Sequence, residues 1–193
     1  CMQSKEAMKG PLNPIKIVKS LLYKRKFKKE HPEYFDPCGT LIFTGAQGYG
    51  KTLSAVRYVL ELAWMYPQSI LVTIQRDLFP EGYDIREYNG LDDLKNVENG
   101  YAGVIYFIDE IHLELNSLES KNIDVDIMTE ISQQRKQRKH IVGTSQVYGR
   151  MAKPLREQIK DIVVCKCFFG CIQYNRLIDA FETTEKNGQL HTK

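Results

Sequence analysis

No stretch of this chain is apolar for long enough to cross a bilayer. Nor does an apolar core follow the opening residues Cys1-Met2-Gln3-Ser4-Lys5, so a secretory leader is not expected. The five cysteines lack the paired C-x-x-C spacing of a zinc site. Cys165 and Cys167 alternate on one predicted strand, and with Cys171 they read as small buried hydrophobes in a reducing compartment. A formal charge of only +3 excludes a uniformly basic or acidic chain. Any polyanion contact must therefore come from local clusters. These absences lead to a cytoplasmic expectation, with peripheral attachment at the inner face of a membrane left open. The 193 residues suit one α/β domain with a sizeable core.

What is present is concentrated in one run. Gly45-Ala46-Gln47-Gly48-Tyr49-Gly50-Lys51-Thr52 fits G-x-x-x-x-G-K-[ST] at every position, and Leu53 closes the stretch expected to touch nucleotide. A strand, Thr40–Thr44, is predicted before it and a helix, Thr52–Met65, after it. Glycines permit the tight turn, and main-chain amides with the helix N-terminus attract phosphate. Lys51 is placed to bridge the β- and γ-phosphates, and the Thr52 hydroxyl to hold Mg²⁺. The pattern predicts binding of a nucleoside triphosphate, with ATP and Mg²⁺ as cofactors. No N-K-x-D motif for guanine occurs.

Val104-Ile105-Tyr106-Phe107-Ile108 reads as a strand buried on both faces, tipped by Asp109-Glu110. Asp109 is the expected Mg²⁺ residue and Glu110 the expected general base for water. Further strands are predicted at Ser69–Gln75, Ile141–Gln146 and Asp161–Phe169, the last returning through Cys171–Leu177 as a hairpin. Gln146, at a strand tip, is a candidate sensor of the γ-phosphate. The helix after the phosphate loop is expected to bury Leu53, Val56 and Leu60, with Trp64 as a further candidate.

Two basic segments stand out. Ile15–Lys29 places Ile15, Val18, Leu21 and Leu22 on helical spacing among lysines, suited to anionic lipid, a phosphate backbone or a protein neighbour. Asp126–Lys139 reads as a helix with an apolar half, Ile127, Met128 and Ile131, and a half from Gln133 to His140 that is polar and basic all round. Its arginines can reach a neighbouring subunit's nucleotide or contact nucleic acid. A short helix is expected over Gly149–Ile159, and residues 111–125 are left unassigned beside the active site. The domain plan is a basic helical extension (1–37), an ATPase domain (38–181) and a flexible tail (182–193). The expected fold is a three-layer α/β P-loop NTPase with a mainly parallel sheet, RecA/FtsK-like.

The order of these pieces resembles the FtsK/HerA superfamily of P-loop ATPases. The phosphate loop, the strand ending Asp109-Glu110 and the basic helix carry the likeness, with His140-Ile141-Val142-Gly143-Thr144-Ser145-Gln146 and Val147-Tyr148-Gly149-Arg150-Met151 after them. Within that superfamily it is most similar to the Zot-like ATPases of filamentous phages and related mobile elements, over residues 39–177. The resemblance implies an oligomeric motor, often a ring, that acts on DNA or on virion assembly. It implies phosphate and Mg²⁺ ligation by Lys51, Thr52 and Asp109, water activation by Glu110 and sensing by Gln146. Arg135 or Arg138 would be the arginine that acts in trans. Filamentous-phage members usually carry a membrane span, and no segment here is apolar enough for one. The leading expectation is an ATP hydrolase coupled to DNA translocation or packaging. An ATP-dependent morphogenesis or secretion factor with phage-protein or membrane partners, and a nucleotide-gated binding module with little turnover, are the alternatives.

Overall fold

The computed structural model describes residues 22–23, 25–27, 29–113, 125–146, 148, 151, 156–181, 183–186 and 189–192. It divides into two units, residues 1–34 and 35–193. In the first, the described residues between 22 and 30 are helical, and the Phe27 ring meets His31 and Tyr34 at centroid distances of 4.6 and 5.1 Å. The rest of the expected basic helix, before residue 22, lies outside the described residues.

The second unit is built on a seven-stranded sheet in the order β3-β2-β4-β5-β1-β6-β7. The strands are β1 (Gly39–Thr44), β2 (Ile70–Thr73), β3 (Asp84–Glu87), β4 (Val104–Ile108), β5 (Lys139–Ser145), β6 (Ile159–Phe168) and β7 (Ile172–Asp179). All neighbours are parallel except β6 and β7. Strands β1, β2, β4 and β5 carry the continuous apolar runs of strands covered on both faces. The edge strand β3, Asp-Ile-Arg-Glu, is largely exposed and has no apolar run, which is why its sequence does not announce it.

The pleat sends alternate residues to two separate cores. On one side Leu41, Phe43, Ile105, Phe107 and Val142 pack against α1 (Lys51–Met65). On the other, Ile42, Tyr106, Ile108 and Ile141 meet Leu94 of α2 (Asp93–Asn96) and Ile131 of α3 (Val125–Gln137). This is the expected three-layer α/β arrangement with a mainly parallel sheet. Cys165 joins the α1-side core, where burial pushes its thiol up to about 11.

Helix α1 packs Val56 and Leu60 partly against the core, as expected, but its deepest stripe is a different one. Ala55, Val59, Leu62 and Ala63 face the sheet, whereas Leu53 and Trp64 are 71% and 78% exposed. Both stripes have helical spacing. The loop decides between them: Lys51 must point back toward the phosphate site, so positions 55, 59 and 62 turn inward. Small Ala55 and Ala63 also let the helix approach the sheet closely.

The basic half of α3 is likewise corrected. The helix ends at Gln137, and Lys139 opens β5 in a fully buried position, its ammonium bonded to the Leu94 carbonyl. Gln134 is buried too and donates to Thr40 Oγ1 at 3.0 Å. His140 is enclosed between Gly39 O, 2.9 Å from Nδ1, and the Tyr58 hydroxyl, 3.1 Å from Nε2. Burial lowers its pKa to about 4, and burial also raises that of Tyr58 to about 12. Residues 182–193, expected as a flexible tail, contain a small antiparallel pair, β8 (Thr183–Lys186) with β9 (Gln189–Thr192). Most of the helix expected over 149–159 lies outside the described residues, as do 114–124.

Candidate functional site

The site is assembled at the carboxyl edge of the sheet, where β1 ends at Thr44, β4 at Ile108 and β5 at Ser145. Gly45 turns the chain with φ +154°, and a Cβ there would stand 2.6 Å from the Cys165 carbonyl oxygen of β6. Only glycine fits between the loop and its neighbouring strand. Gly50, in the left-handed region at φ +70°, caps α1. Residues 46–49 are exposed. Among the described residues, Tyr49 N–H to Ala46 O, 3.2 Å, is the only backbone hydrogen bond donated within 46–50, leaving the other amides for an anion. Lys51 is buried, and its ammonium donates to Ala46 O at 3.2 Å, inside the loop's own curve.

Parallel pairing of β1 with β5 and β5 with β4 brings the acidic pair to the same edge. Asp109 Oδ1 accepts hydrogen bonds from Thr52 Oγ1, at 3.1 Å, and from Thr144 Oγ1. Glu110 adopts a left-handed backbone, φ +50°, and donates its amide to Thr144 Oγ1 at 2.9 Å. Gln146 Nε2 donates to Glu110 Oε1 at 3.4 Å. Glu110 Oε2 is buried and makes no hydrogen bond. His112 Nδ1 stands 3.2 Å from it, close enough for an ion pair but out of line for a hydrogen bond, and 3.5 Å from Ser145 Oγ. The chain therefore brings Lys51, Thr52, Asp109, Glu110 and Gln146 together from three strands.

The donor set fits Mg²⁺. A threonine hydroxyl and a carboxylate already within 3.1 Å supply hard oxygen ligands. No cluster of three or more His, Cys, Asp or Glu suited to a metal occurs among the described residues. A cation here would complete its shell with phosphate and water, as Mg²⁺ commonly does.

Sequence reasoning missed the support from β7. Gln173 Nε2 donates to the Tyr49 carbonyl at 3.0 Å and to Asn175 Oδ1 at 2.9 Å. Asn175 Nδ2 in turn reaches Ser54 Oγ of α1 at 3.0 Å. The only signal was two amides at alternate positions of a predicted hairpin, which distance in sequence separates from the loop. His112 and Thr144 were missed as well, being polar residues just beyond or just before assigned strand ends. A cavity of about 510 Å³ lies beside α1, between Tyr58, His140 and Asp161, and meets the loop region only through Ser54 and Asn175.

Other expected site residues lie elsewhere. Arg138 precedes β5 and so stands at the amino edge of the sheet, opposite the phosphate loop. Its Nη1 donates to Phe35 O at 3.0 Å, and its guanidinium lies 5.5 Å from the centre of the Tyr101 ring. In this single chain both contacts are to its own residues. The Arg135 side chain lies outside the described residues. Leu53 points outward from the first turn of α1.

The N-terminal domain of zonular occludens toxin from Neisseria meningitidis has the same architecture. Its TM-score is 0.56 at 14% identity, over 74% of this chain and 84% of that one. The genome packaging NTPase B204 from Sulfolobus turreted icosahedral virus 2, in complex with ATP-γS, matches with a TM-score of 0.52 at 12% identity, over 66% and 74%. The fold is that of a P-loop NTPase. B204 from Sulfolobus turreted icosahedral virus, described as a DNA-packaging ATPase, gives a TM-score of 0.50 at 13% identity, over 67% and 76%. No protein-family model and no curated protein matches the sequence. The likeness to these P-loop NTPases therefore lies in the path of the chain.

Proposed function

We propose that this chain is an Mg²⁺-dependent ATP hydrolase that couples turnover to DNA translocation or packaging for a phage or mobile element. The observation that carries the enzymatic half is the meeting of Thr52 with Asp109 across 3.1 Å, with Glu110 and Gln146 beside them. The likeness to B204, described as a genome packaging NTPase and a DNA-packaging ATPase, supports the DNA half.

In this reading the loop amides and Lys51 grip the β- and γ-phosphates, the ammonium leaving Ala46 O for phosphate oxygen. Thr52 and Asp109 would hold Mg²⁺, which would offset charge on the phosphoryl oxygens. Glu110, whose Oε2 has no hydrogen bond, takes the proton of the attacking water. Gln146, tied to the other Glu110 oxygen, holds that carboxylate in position. Lys51 is the one cation at the loop among the described residues, so Arg135 or Arg138 of an adjoining copy in a ring is the proposed source of the further positive charge.

The test is phosphate release by wild type and Lys51→Ala, with and without DNA. Loss of ~10²-fold or more in the variant is expected, from the size of the electrostatic contribution such groups make. Equal rates in the two proteins refute the enzymatic half. Activity that never responds to DNA, in a protein that binds none at low salt, refutes the coupling half.

A further inference from the structure

The outer hairpin of the sheet has a face that the site does not use. In the β6–β7 ladder Ile162 pairs with Ile178, Val164 with Arg176, Lys166 with Tyr174 and Phe168 with Ile172. Ile162 and Ile178 are buried in the α3-side core, and Val164 packs at its margin. Strand alternation then puts Lys166, Phe168, Ile172, Tyr174 and Arg176 on that same side. Among the described residues the cover ends there. Phe168, Ile172 and Tyr174 are 47%, 56% and 51% exposed, and Lys166 and Arg176 are exposed as well. Among the described residues neither cation has an ion-pair partner, and no acid stands on this part of the face.

The position is as informative as the composition. β6 runs parallel to β1, so the hairpin tip, with Phe169 at φ +55° and Gly170 at φ +70°, projects from the edge that carries the phosphate loop. Phe169 at that tip is 94% exposed. Same-face neighbours along a strand are about 7 Å apart. Two cations and two aromatic rings at that spacing form a surface with positive charge for phosphates and flat rings for bases. Arg176 can grip a phosphate through two parallel N–H bonds.

We infer that this face of the β6–β7 hairpin binds single-stranded nucleic acid, with Lys166 and Arg176 on phosphates and Phe168 and Tyr174 stacked on bases. The inference rests on the nucleic-acid half of the proposed function and names the surface that serves it. Charge complementarity selects the occupant: a face that, among the described residues, carries two unpaired cations and no acid suits a polyanion, and rings add sequence-tolerant stacking that a duplex does not offer.

The experiment is fluorescence anisotropy of a labelled oligo-dT over a salt series, without ATP, on the full chain. Wild type is compared with Lys166→Glu/Arg176→Glu and with Phe168→Ala/Tyr174→Ala. All four positions are exposed, and circular dichroism with basal ATPase rates verifies that each variant is intact. The charge reversal is expected to weaken binding at least tenfold and to flatten the slope of log affinity against log salt by about 1.4, for two phosphate contacts. The aromatic variant, which removes two rings, is expected to lose roughly thirtyfold or more with the salt slope kept. Variants that bind like wild type overturn the inference and leave the proposed function standing. A wild type that binds no oligonucleotide at low salt overturns both. A change in sedimentation with oligonucleotide affinity intact would make the face a contact between copies, and would overturn the inference too.

Discussion

His140 supplies a stability test that does not depend on any ligand. Its Nδ1–H donates to Gly39 O at 2.9 Å, which leaves Nε2 to accept from the Tyr58 hydroxyl at 3.1 Å. A neutral imidazole satisfies both partners. A proton on Nε2 would turn that bond round onto the Tyr58 oxygen and leave a positive charge in a site shut off from water. Burial therefore lowers the pKa from 6.5 to about 4, the positive charge of Lys160 acting the same way and the Gly39 bond opposing. The unfolded chain takes up its proton first as pH falls. Above about pH 6.5 the residue is neutral in both states and costs nothing. Between 6.5 and about 4 folding must expel that proton, and stability declines. At about 1.4 kcal/mol per pH unit the full loss is about 3 kcal/mol, with about 2 kcal/mol of it already gone at about pH 5. Urea denaturation of wild type and His140→Gln near neutrality and at about pH 5 reads this directly. Carboxylates titrate in both proteins, so the difference between the two curves isolates the imidazole. Wild type should lose about 2 kcal/mol more than the variant over that interval. Parallel losses would refute a buried neutral histidine at this seam.

Three further outcomes are expected. Glu110→Gln should slow single-turnover ATP cleavage by ~10²–10⁴-fold while retaining nucleotide binding, and an unchanged cleavage rate would exclude Glu110 as the base. Gly45→Ala should lower the melting temperature by roughly 5–15 °C, because its methyl group meets the Cys165 carbonyl at 2.6 Å in a backbone region that side chains disfavour. A variant within about 2 °C of wild type would show that the loop has room to shift. Gln134→Leu should cost about 1–3 kcal/mol by leaving the buried Thr40 hydroxyl unpaired, and adding Thr40→Val should recover most of it. Additive losses in the double variant would mean the pair is not coupled.

The parts of this fold legible in the sequence are those fixed by local chemistry. Val104–Ile108 has its predicted bounds because a strand covered on both faces admits no polar residue until its tip. The turn from Thr44 into α1 shows in the sequence because Gly45 and Gly50 hold backbone conformations that few other residues accept. Failures arose where a tertiary neighbour overrode a local pattern. Lys139 reads as one more solvated base after Arg138, yet the Leu94 carbonyl gives its ammonium a buried partner. Gln134 belongs to a polar run but finds Thr40 across the α3–sheet contact. Leu53 and Trp64 look like core residues until the phase of α1 is fixed by Lys51. Of the site, the phosphate loop and the acidic tip were legible as patterns. The clasp from Gln173 and Asn175 spans more than a hundred residues of chain and leaves no periodic trace.

β7 has a single neighbour in the sheet, and its adjacent residues face opposite ways. Gln173 holds the Tyr49 carbonyl, while Tyr174, one Cα step of about 3.4 Å along, looks out on the other side. The outward face and the hold on the glycine-rich loop thus share one border strand. A shift of this strand against β6 would therefore also change the distance from Gln173 to residue 49.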